Sequence, residues 1–598
     1  MKTQSSTEQP VGDLLILVGV AAGAVVVGGH WLIANLAALV ASGHPLGANA
    51  PDTVSALRAM PEHWGDPRLA WSEPMASRLP GPVAYWACAA VVIAALLGLA
   101  AVILARTGRR HESVDQRRRV GVDTQPRLAR TRDLAPLLTR RPQPNRFVLA
   151  PWGWRYLSTE AQVFRHRRGV RGALAVFGAT QSGKTFGLMV GVNAWEGPAI
   201  VSSVRTDLMA ATLKRRSKVG EVKVFDPAGI SGMETATWSP LRAAGTLPGA
   251  MAAAQMLAHG GARGETQHQF WQGQAEQLLA AMLWTAANTA DHSMRHVVTW
   301  VLELDRPSEG DGGTLAPLVR LLTDHGDPAV AEAARTVQGW LHGQWKTDDR
   351  TTSNVYATAR NAVWPWADPN VAASADGCDL TLEWLLDGSN TLYLCAPMGD
   401  ETRIGTVFAA LVHDLVMQAF DGANRYGPID PTLLVLLDEA ANTYLPKLAE
   451  WASTVTGAGI LLATVWQSKA QIEQLYGRHA DTLLTNHRTK LLYLSGISDM
   501  TTSDYVSALI GSEHVRSDLD EPRWGGEGER PPARSPSTAV PFLTASVLHR
   551  MKVGDALLFH GELPAAWIRD RTGDARSRRS ISPSRTRGPG IAGHPRSR

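Results

Sequence analysis

The sequence predicts an α/β protein: a mostly parallel sheet opened by a phosphate-binding loop, an inserted all-α stretch, and two membrane-spanning helices ahead of both. Three observations predict it. Ala173-Leu-Ala-Val-Phe177 reads as a short buried strand, runs directly into Gly178-Ala-Thr-Gln-Ser-Gly183-Lys184-Thr185, and is followed by the helical pattern Phe186-Gly-Leu-Met-Val. Thr432-Leu-Leu-Val-Leu-Leu437 is an unbroken apolar run that ends on Asp438-Glu439. Two long stretches near the amino terminus, Leu14 to Val40 and Val83 to Ala105, contain no Asp, Glu, Lys or Arg.

The strand, loop and helix form the context in which G-x-x-x-x-G-K-T carries chemistry. Backbone N–H groups of a tight loop converge on phosphate oxygens, glycine permits the dihedrals, and the helix N-terminus adds donors and a favourable dipole. Gly178, Ala179, Thr180, Gln181, Ser182, Gly183, Lys184 and Thr185 are therefore the candidate binding residues for ATP. Lys184 would reach the β- and γ-phosphates, and the Thr185 hydroxyl would ligate Mg²⁺. The same chemistry needs an acid at the end of a neighbouring strand. A continuous apolar run such as 432–437 is what a parallel strand covered on both faces looks like. Asp438 is the candidate second metal residue and Glu439 the candidate general base.

Further short apolar runs complete the sheet: Pro198–Ser202, Val222–Phe225, Thr391–Cys395, Ile460–Thr464, Lys490–Leu494 and Ala556–Phe559. Helical patterns and Gly/Asp turns lie between many of them, which points to a parallel α/β arrangement. The Ile460 strand leads into Trp466-Gln467, and Gln467 is a candidate to contact the γ-phosphate or the attacking water, or else an ordinary loop glutamine.

Each charge-free stretch is long enough to cross a bilayer, which takes about 20 apolar residues. A signal peptide is the rival reading for the first, but signal cores run only about 7–15 residues. Arg106, Arg109, Arg110, Arg117, Arg118 and Arg119 follow the second stretch, whereas Ser42 to Gly81 carries only Arg58, Arg68 and Arg78 against four acids. Positive residues stay inside, so the expectation is a hairpin with both termini in the cytoplasm and everything beyond about residue 106 cytoplasmic. The arginine run is also suited to anionic headgroups.

At 598 residues the chain is too long for one core. The expected layout is a cytoplasmic N-terminus (1–13), a transmembrane hairpin (14–105) with an extracytoplasmic loop (41–82), and a basic linker (106–145). The first part of the nucleotide domain (146–244), an all-α subdomain (245–385), the second part of the nucleotide domain (386–570) and a basic tail (571–598) follow. The all-α expectation rests on apolar spacings of three and four around Phe270–Leu283 and on similar patterns over Val297–Leu304, Leu315–Leu322 and Val330–Leu341. Its tryptophans, Trp271, Trp284, Trp300, Trp340, Trp345, Trp364 and Trp366, suit base stacking but more often form core. Leu519–Ser537 is polar and rich in Pro and Gly, as a flexible loop would be. From Arg571 onward eight arginines face one acid, a composition that buries no core. The formal net charge of +4 says little about partners. Three scattered cysteines, Cys88, Cys378 and Cys395, fit neither a disulfide framework nor a metal site, and all three are expected to be buried thiols.

With these parts in place the layout resembles the coupling-protein ATPases of type IV secretion and conjugative DNA transfer, the TraG/TraD-like superfamily. Ser202-Ser-Val-Arg-Thr-Asp207-Leu208, Val224-Phe-Asp226-Pro227, Trp238-Ser-Pro240-Leu241, Phe270-Trp271, the Gly459-Ile460 strand to Gln467, and Gly496-Ile-Ser-Asp499-Met-Thr501 add to the match, which spans residues 14 to about 570. The resemblance implies a RecA-like motor with an all-α insertion, working as a homo-hexamer at the cell membrane. It also implies ATP-driven delivery of single-stranded DNA, with its attached relaxase, to a type IV secretion channel. Two departures stand out. Gln181 occupies a loop position where the family usually has glycine, and Ala458 stands where a basic residue often precedes Gly459-Ile460, leaving Arg488 as a substitute candidate for the arginine acting in trans. A septal-type double-stranded DNA translocase and a protein-effector recruiting adaptor ATPase remain the alternative functions.

Overall fold

A computed structural model describes residues 10–107, 126–160, 172–203, 206–260, 269–307, 313–397, 399–516 and 537–569. The chain separates into two compact units, 1–124 and 125–598. The arginines at 109–119, nearly all of the expected 519–537 loop and the tail beyond 569 lie outside the described residues.

The first unit is helical. Pro10–Ser42 and Pro82–Thr107 are its long helices, and Ala50–Ala59 between them starts with a capping box in which Asn49 and Asp52 satisfy each other's backbone N–H groups. Leu46, Met60, Trp71 and Tyr85 pack into a small buried cluster, with the rings of His30 and Trp71 stacked at 5.5 Å. The segment expected only as a loop is thus largely folded. Among the described residues, two helices are long and apolar enough to cross a membrane by length and composition, Pro82–Val102 and Arg403–Tyr426; Val26–Ser42 is a shorter apolar stretch. Pro82–Val102 is mostly exposed, whereas Arg403–Tyr426 is largely buried inside the second unit.

The second unit starts with a small antiparallel sheet, β1 (Leu138–Thr139), β2 (Val148–Trp152) and β3 (Arg155–Ser158). The main sheet uses β4 (Leu174–Gly178), β5 (Ala199–Ser203), β6 (Val222–Phe225), β7 (Thr391–Cys395), β8 (Leu433–Leu437), β9 (Ile460–Trp466) and β10 (Thr489–Tyr493). A hairpin, β11 (Ser512–Arg516) with β12 (Ser537–Pro541), stands apart, and β13 (Ala556–His560) and β14 (Ala566–Ile568) close one edge of the main sheet. The order is β14-β13-β10-β4-β9-β8-β5-β7-β6. All pairings from β10 to β6 are parallel; β13 and β14 add antiparallel.

Every residue of β4, β7, β8 and β9 is buried, as strands covered on both faces require. One face packs on the core that runs through the helices between β6 and β7, the other on the phosphate-loop helix and the small sheet. Those intervening helices include Leu247–Gly260, Gln269–Ala287, Met294–Leu302, Leu315–Thr323, Pro328–Trp345 and Asp349–Val363. Asp327 and Asp348 cap two of them with side-chain oxygens on backbone N–H groups. Of the seven tryptophans singled out here, Trp284, Trp300 and Trp366 are buried, Trp271, Trp340 and Trp345 pack partly buried against the same core, and only Trp364 is exposed. The packing role therefore holds for six of them. Cys395 is buried as expected, but Cys88 is half-buried and Cys378 exposed, the latter because it lies in the irregular link after Pro369–Ala373 and not in a core element.

Candidate nucleotide site

β4 ends at Gly178, and the helix Lys184–Ala194 begins after a five-residue loop, with Gly183 as its N-cap at φ +103°. The loop between them leaves no room for side chains at its base. A Cβ on Gly178 would lie 2.5 Å from Ser182 Oγ and 2.6 Å from the Tyr493 carbonyl oxygen. Thr180, Gln181 and Thr185 are exposed, and Ser182 is buried with its Oγ unpaired. Lys184 curls back onto its own loop: Nζ donates to the Gly178 carbonyl and, at 2.9 Å, to that of Ala179. These are weak holds for an ammonium group, and phosphate oxygens would compete well for its donors.

Topology brings the remaining candidates to the same edge. β9 lies between β4 and β8. Because the three strands are parallel, the loop after β4, Gln467 after β9 and Asp438-Glu439 after β8 all emerge at the carboxyl ends of adjacent strands, where open α/β sheets bind ligands. Asp438 N–H donates to the Ser202 carbonyl at 3.0 Å, and Ala440 N–H to that of Val465 at 3.0 Å, so the acidic pair is fixed to strands on both sides. Glu439 sits at φ +57°. Its carboxylate accepts from Asn442 Nδ2 at 3.0 Å.

The electrostatics join these groups. Burial pushes the Asp438 carboxyl up to about 6, the neighbouring Glu439 charge adds to the rise, and Lys184 opposes it. Burial lowers the Lys184 ammonium, and the charges of Asp438 and Glu439 hold it up. An ammonium and two carboxylates thus share one poorly solvated field. A divalent cation there would relieve the repulsion between the acids.

Gln467 is exposed, with its backbone N–H on Gln471 Oε1 at 3.0 Å. Among the described residues no hydrogen bond joins it to the phosphate loop or to the acids. Arg488 lies elsewhere. It immediately precedes β10, which starts level with β4, so it occupies the opposite, amino-terminal edge of the sheet. There it pairs with Glu562 at 2.9 Å and Glu160 at 3.6 Å. Arg488, offered above as an arginine acting in trans on a neighbouring subunit's nucleotide, thus stands away from the phosphate loop of its own chain. Three contributors escaped the sequence reading: Tyr493, which backs the loop from the end of β10; Asn442, which holds Glu439; and Gly554, whose N–H reaches the Ser182 carbonyl. Asn442 alone carried a local signal, three residues beyond the acid it holds.

Residues 143–520 match the family model described as Type IV secretory system Conjugative DNA transfer. The conjugal transfer protein TraG of Escherichia coli is 23% identical over 411 residues, covering 65% of this chain and 62% of that protein. TraG of Agrobacterium fabrum (strain C58 / ATCC 33970) is 25% identical over 227 residues, covering 37% of this chain and 34% of its own length. The chain therefore spans less than two thirds of these relatives. Among solved structures, the plasmid coupling protein TrwB in complex with the non-hydrolysable GTP analogue GDPNP superposes with a TM-score of 0.50 at 17% identity, over 66% of this chain and 84% of that one. This likeness assigns the RecA-like P-loop fold.

Proposed function

Because the chain belongs to the type IV secretory system family of conjugative DNA transfer, we propose that it is a membrane-anchored ATPase that couples ATP hydrolysis to delivery of relaxase-bound single-stranded DNA to a type IV secretion channel, working as a homo-hexamer. The observation that carries the motor reading is the convergence of the phosphate loop and the Asp438-Glu439 pair on the carboxyl ends of β4 and β8, with Lys184 and both acids in one field.

In this reading the N–H groups of residues 178–185 hold the phosphates, and Lys184 exchanges its two loop carbonyls for phosphate oxygens. Thr185 and Asp438 would hold Mg²⁺, which supplies charge neutralisation on the phosphate oxygens. Glu439 takes the proton of the attacking water, and Gln467, one strand over, senses the γ-phosphate. Membrane anchoring is supported by the exposed apolar side chains of the Pro82–Thr107 helix, Val91, Leu97 and Leu99 among them, by the preceding Pro10–Ser42 helix, and by the arginine-rich sequence that follows. That arrangement leaves the motor cytoplasmic at the cell membrane.

The test is ATP hydrolysis by the full chain in lipid nanodiscs, with and without single-stranded DNA, beside Lys184→Ala and Glu439→Gln. DNA-stimulated turnover that both variants lose is the expected result. Normal turnover by Lys184→Ala would overturn the site. Turnover that needs Lys184 but ignores DNA would shift the cargo to protein effectors.

A further inference from the structure

The phosphate loop is held from behind by a turn near the far end of the chain. Lys552–Asp555 forms this turn just ahead of β13, closed by the Asp555 N–H donating to the Lys552 carbonyl at 3.0 Å. Within it Gly554, at φ +89°, donates its N–H to the Ser182 carbonyl at 3.0 Å. The approach is too close for side chains. A Cβ on Gly183 would lie 2.9 Å from Gly554 Cα and 3.0 Å from its nitrogen. The turn is anchored in its own hairpin, where Trp567 Nε1 of β14 donates to Asp555 Oδ2 at 3.1 Å.

The geometry of one peptide decides what this contact does. In a trans peptide the C=O and N–H point in opposite directions. Fixing the Ser182 oxygen on Gly554 therefore turns the Gly183 N–H to the other side of the loop. Among the described residues that N–H donates to no backbone carbonyl. Local sterics do not hold the plane, because Gly183 at φ +103° has no Cβ to restrict it. Inward-facing N–H groups are what a phosphate loop offers its ligand.

We infer that the Lys552–Asp555 turn is a positioning clamp for the nucleotide phosphates: Gly554 orients the 182–183 peptide so that the Gly183 N–H is presented to a phosphate oxygen. This rests on the nucleotide reading proposed above and extends it to a residue more than three hundred positions from the loop motif. Gly554 acts through Ser182 and touches no nucleotide, so its signature is in binding rather than in the chemical step.

The experiment titrates the full-length protein in nanodiscs with a fluorescent ATP analogue and measures kcat and KM for ATP, for wild type, Gly554→Ala and Trp567→Phe. Melting without nucleotide is followed in parallel. Each variant should bind about tenfold more weakly and raise KM by the same factor, the size expected for one misdirected hydrogen bond to a charged group. Its kcat at saturating ATP should stay near wild type and its nucleotide-free melting should be little changed. Wild-type affinity in a folded Gly554→Ala protein, or a fall in kcat at unchanged KM, would overturn the clamp. Should Gly554→Ala fail to fold, Trp567→Phe, which loosens the turn without touching Gly554, carries the same comparison. Failure of the wild type to bind nucleotide would overturn the underlying site instead; wild-type binding with unaffected variants overturns the clamp alone.

Discussion

Asn442 holds Glu439 twice: its side-chain amide donates to Glu439 Oε2 at 3.0 Å, and its backbone N–H donates to the Glu439 carbonyl at 2.9 Å. Glu439 is at φ +57°, a region that costs a residue with a Cβ about 1 kcal/mol or more and persists only where its surroundings enforce it. The strain and the amide together fix where the carboxylate points. Asn442→Ala should therefore lower kcat by about tenfold with KM for ATP unchanged, since orientation of a base is felt in the chemical step. Glu439→Gln should retain nucleotide and lose turnover altogether. Steady-state kinetics on both variants checks this, and an unchanged kcat in Asn442→Ala would remove the orienting role.

Gln181 makes the opposite kind of test, one of tolerance. It stands at φ +62° in the phosphate loop, which gives a physical reason why glycine is the usual residue there. Replacing it with glycine relieves the backbone but frees the unfolded chain, and the two effects nearly cancel, to within about 0.5 kcal/mol. Gln181→Gly should thus keep both its melting temperature and its nucleotide affinity. Gln181→Val places a β-branched residue in the same dihedrals and should cost about 1–2 kcal/mol and weaken binding. Thermal melts with and without ATP distinguish the two. Equal behaviour of the valine and glycine variants would mean that the loop relaxes away from the left-handed conformation.

How much of this could be read from the chain alone depended on how local each signal is. β8 was legible because five consecutive buried apolar residues end on two carboxylates. β2 and β3 were not: β2 contains Pro151 and ends half-buried, and Gly153 turns it at once into β3 with its exposed neighbour Trp154. The convergence of Lys184 with Asp438 followed from the motif. The placement of Arg488 did not, because which end of a strand faces the ligand is set by the parallel pairing of β10 with β4. No local pattern marked Gly554: glycine suits its φ of +89°, but the bond from its N–H to the Ser182 carbonyl forms only when the fold brings the two turns together.

His487 gives a pH dependence with a definite sign. It is fully buried, its Nδ1 pairs with the Leu483 carbonyl at 2.7 Å, and its Nε2 pairs with Thr464 Oγ1 at 3.0 Å. Trp466 Nε1 already donates to the same hydroxyl at 2.8 Å. The consistent arrangement is a neutral ring with the proton on Nδ1, accepting from Thr464. Burial lowers the folded-state pKa from 6.5 to about 4, with the Lys490 charge acting the same way. The unfolded chain therefore takes up a proton that the folded chain refuses. Stability is fully present above 6.5 and falls as the pH drops toward 4, by about 2 kcal/mol between pH 7 and pH 5. His413, also lowered to about 4, chiefly by burial, adds in the same direction. Denaturant melts at the two pH values should show the loss in wild type and a reduced loss in His487→Gln. An identical slope in the variant would assign the pH dependence to other groups.

Arg216 pins several elements of the nucleotide unit together outside the site. Its guanidinium is fully buried, and burial holds it down to about 10, still charged at neutral pH. No carboxylate faces it among the described residues. Four of its five N–H donors are instead spent on neutral oxygens: Thr391 Oγ1 at 2.9 Å, the Gly197 carbonyl at 2.7 Å, the Ser389 carbonyl at 3.3 Å and the carbonyl of Trp195. These acceptors lie at the starts of β5 and β7 and at the end of the phosphate-loop helix, so one side chain joins the Asp207–Arg216 helix to all three. Arg216→Leu matches much of the volume but strands several buried carbonyls, each of which costs about 1–3 kcal/mol when left unpaired. Water can reach some of them after relaxation, so a net loss of about 3 kcal/mol is the expected outcome. Arg216→Lys should recover only part of it, because a single ammonium cannot span the same fork of acceptors. Denaturant unfolding followed by hydrogen exchange at the starts of β5 and β7 checks both, and an Arg216→Leu protein as stable as wild type would show that the strand ends are held by the apolar core alone.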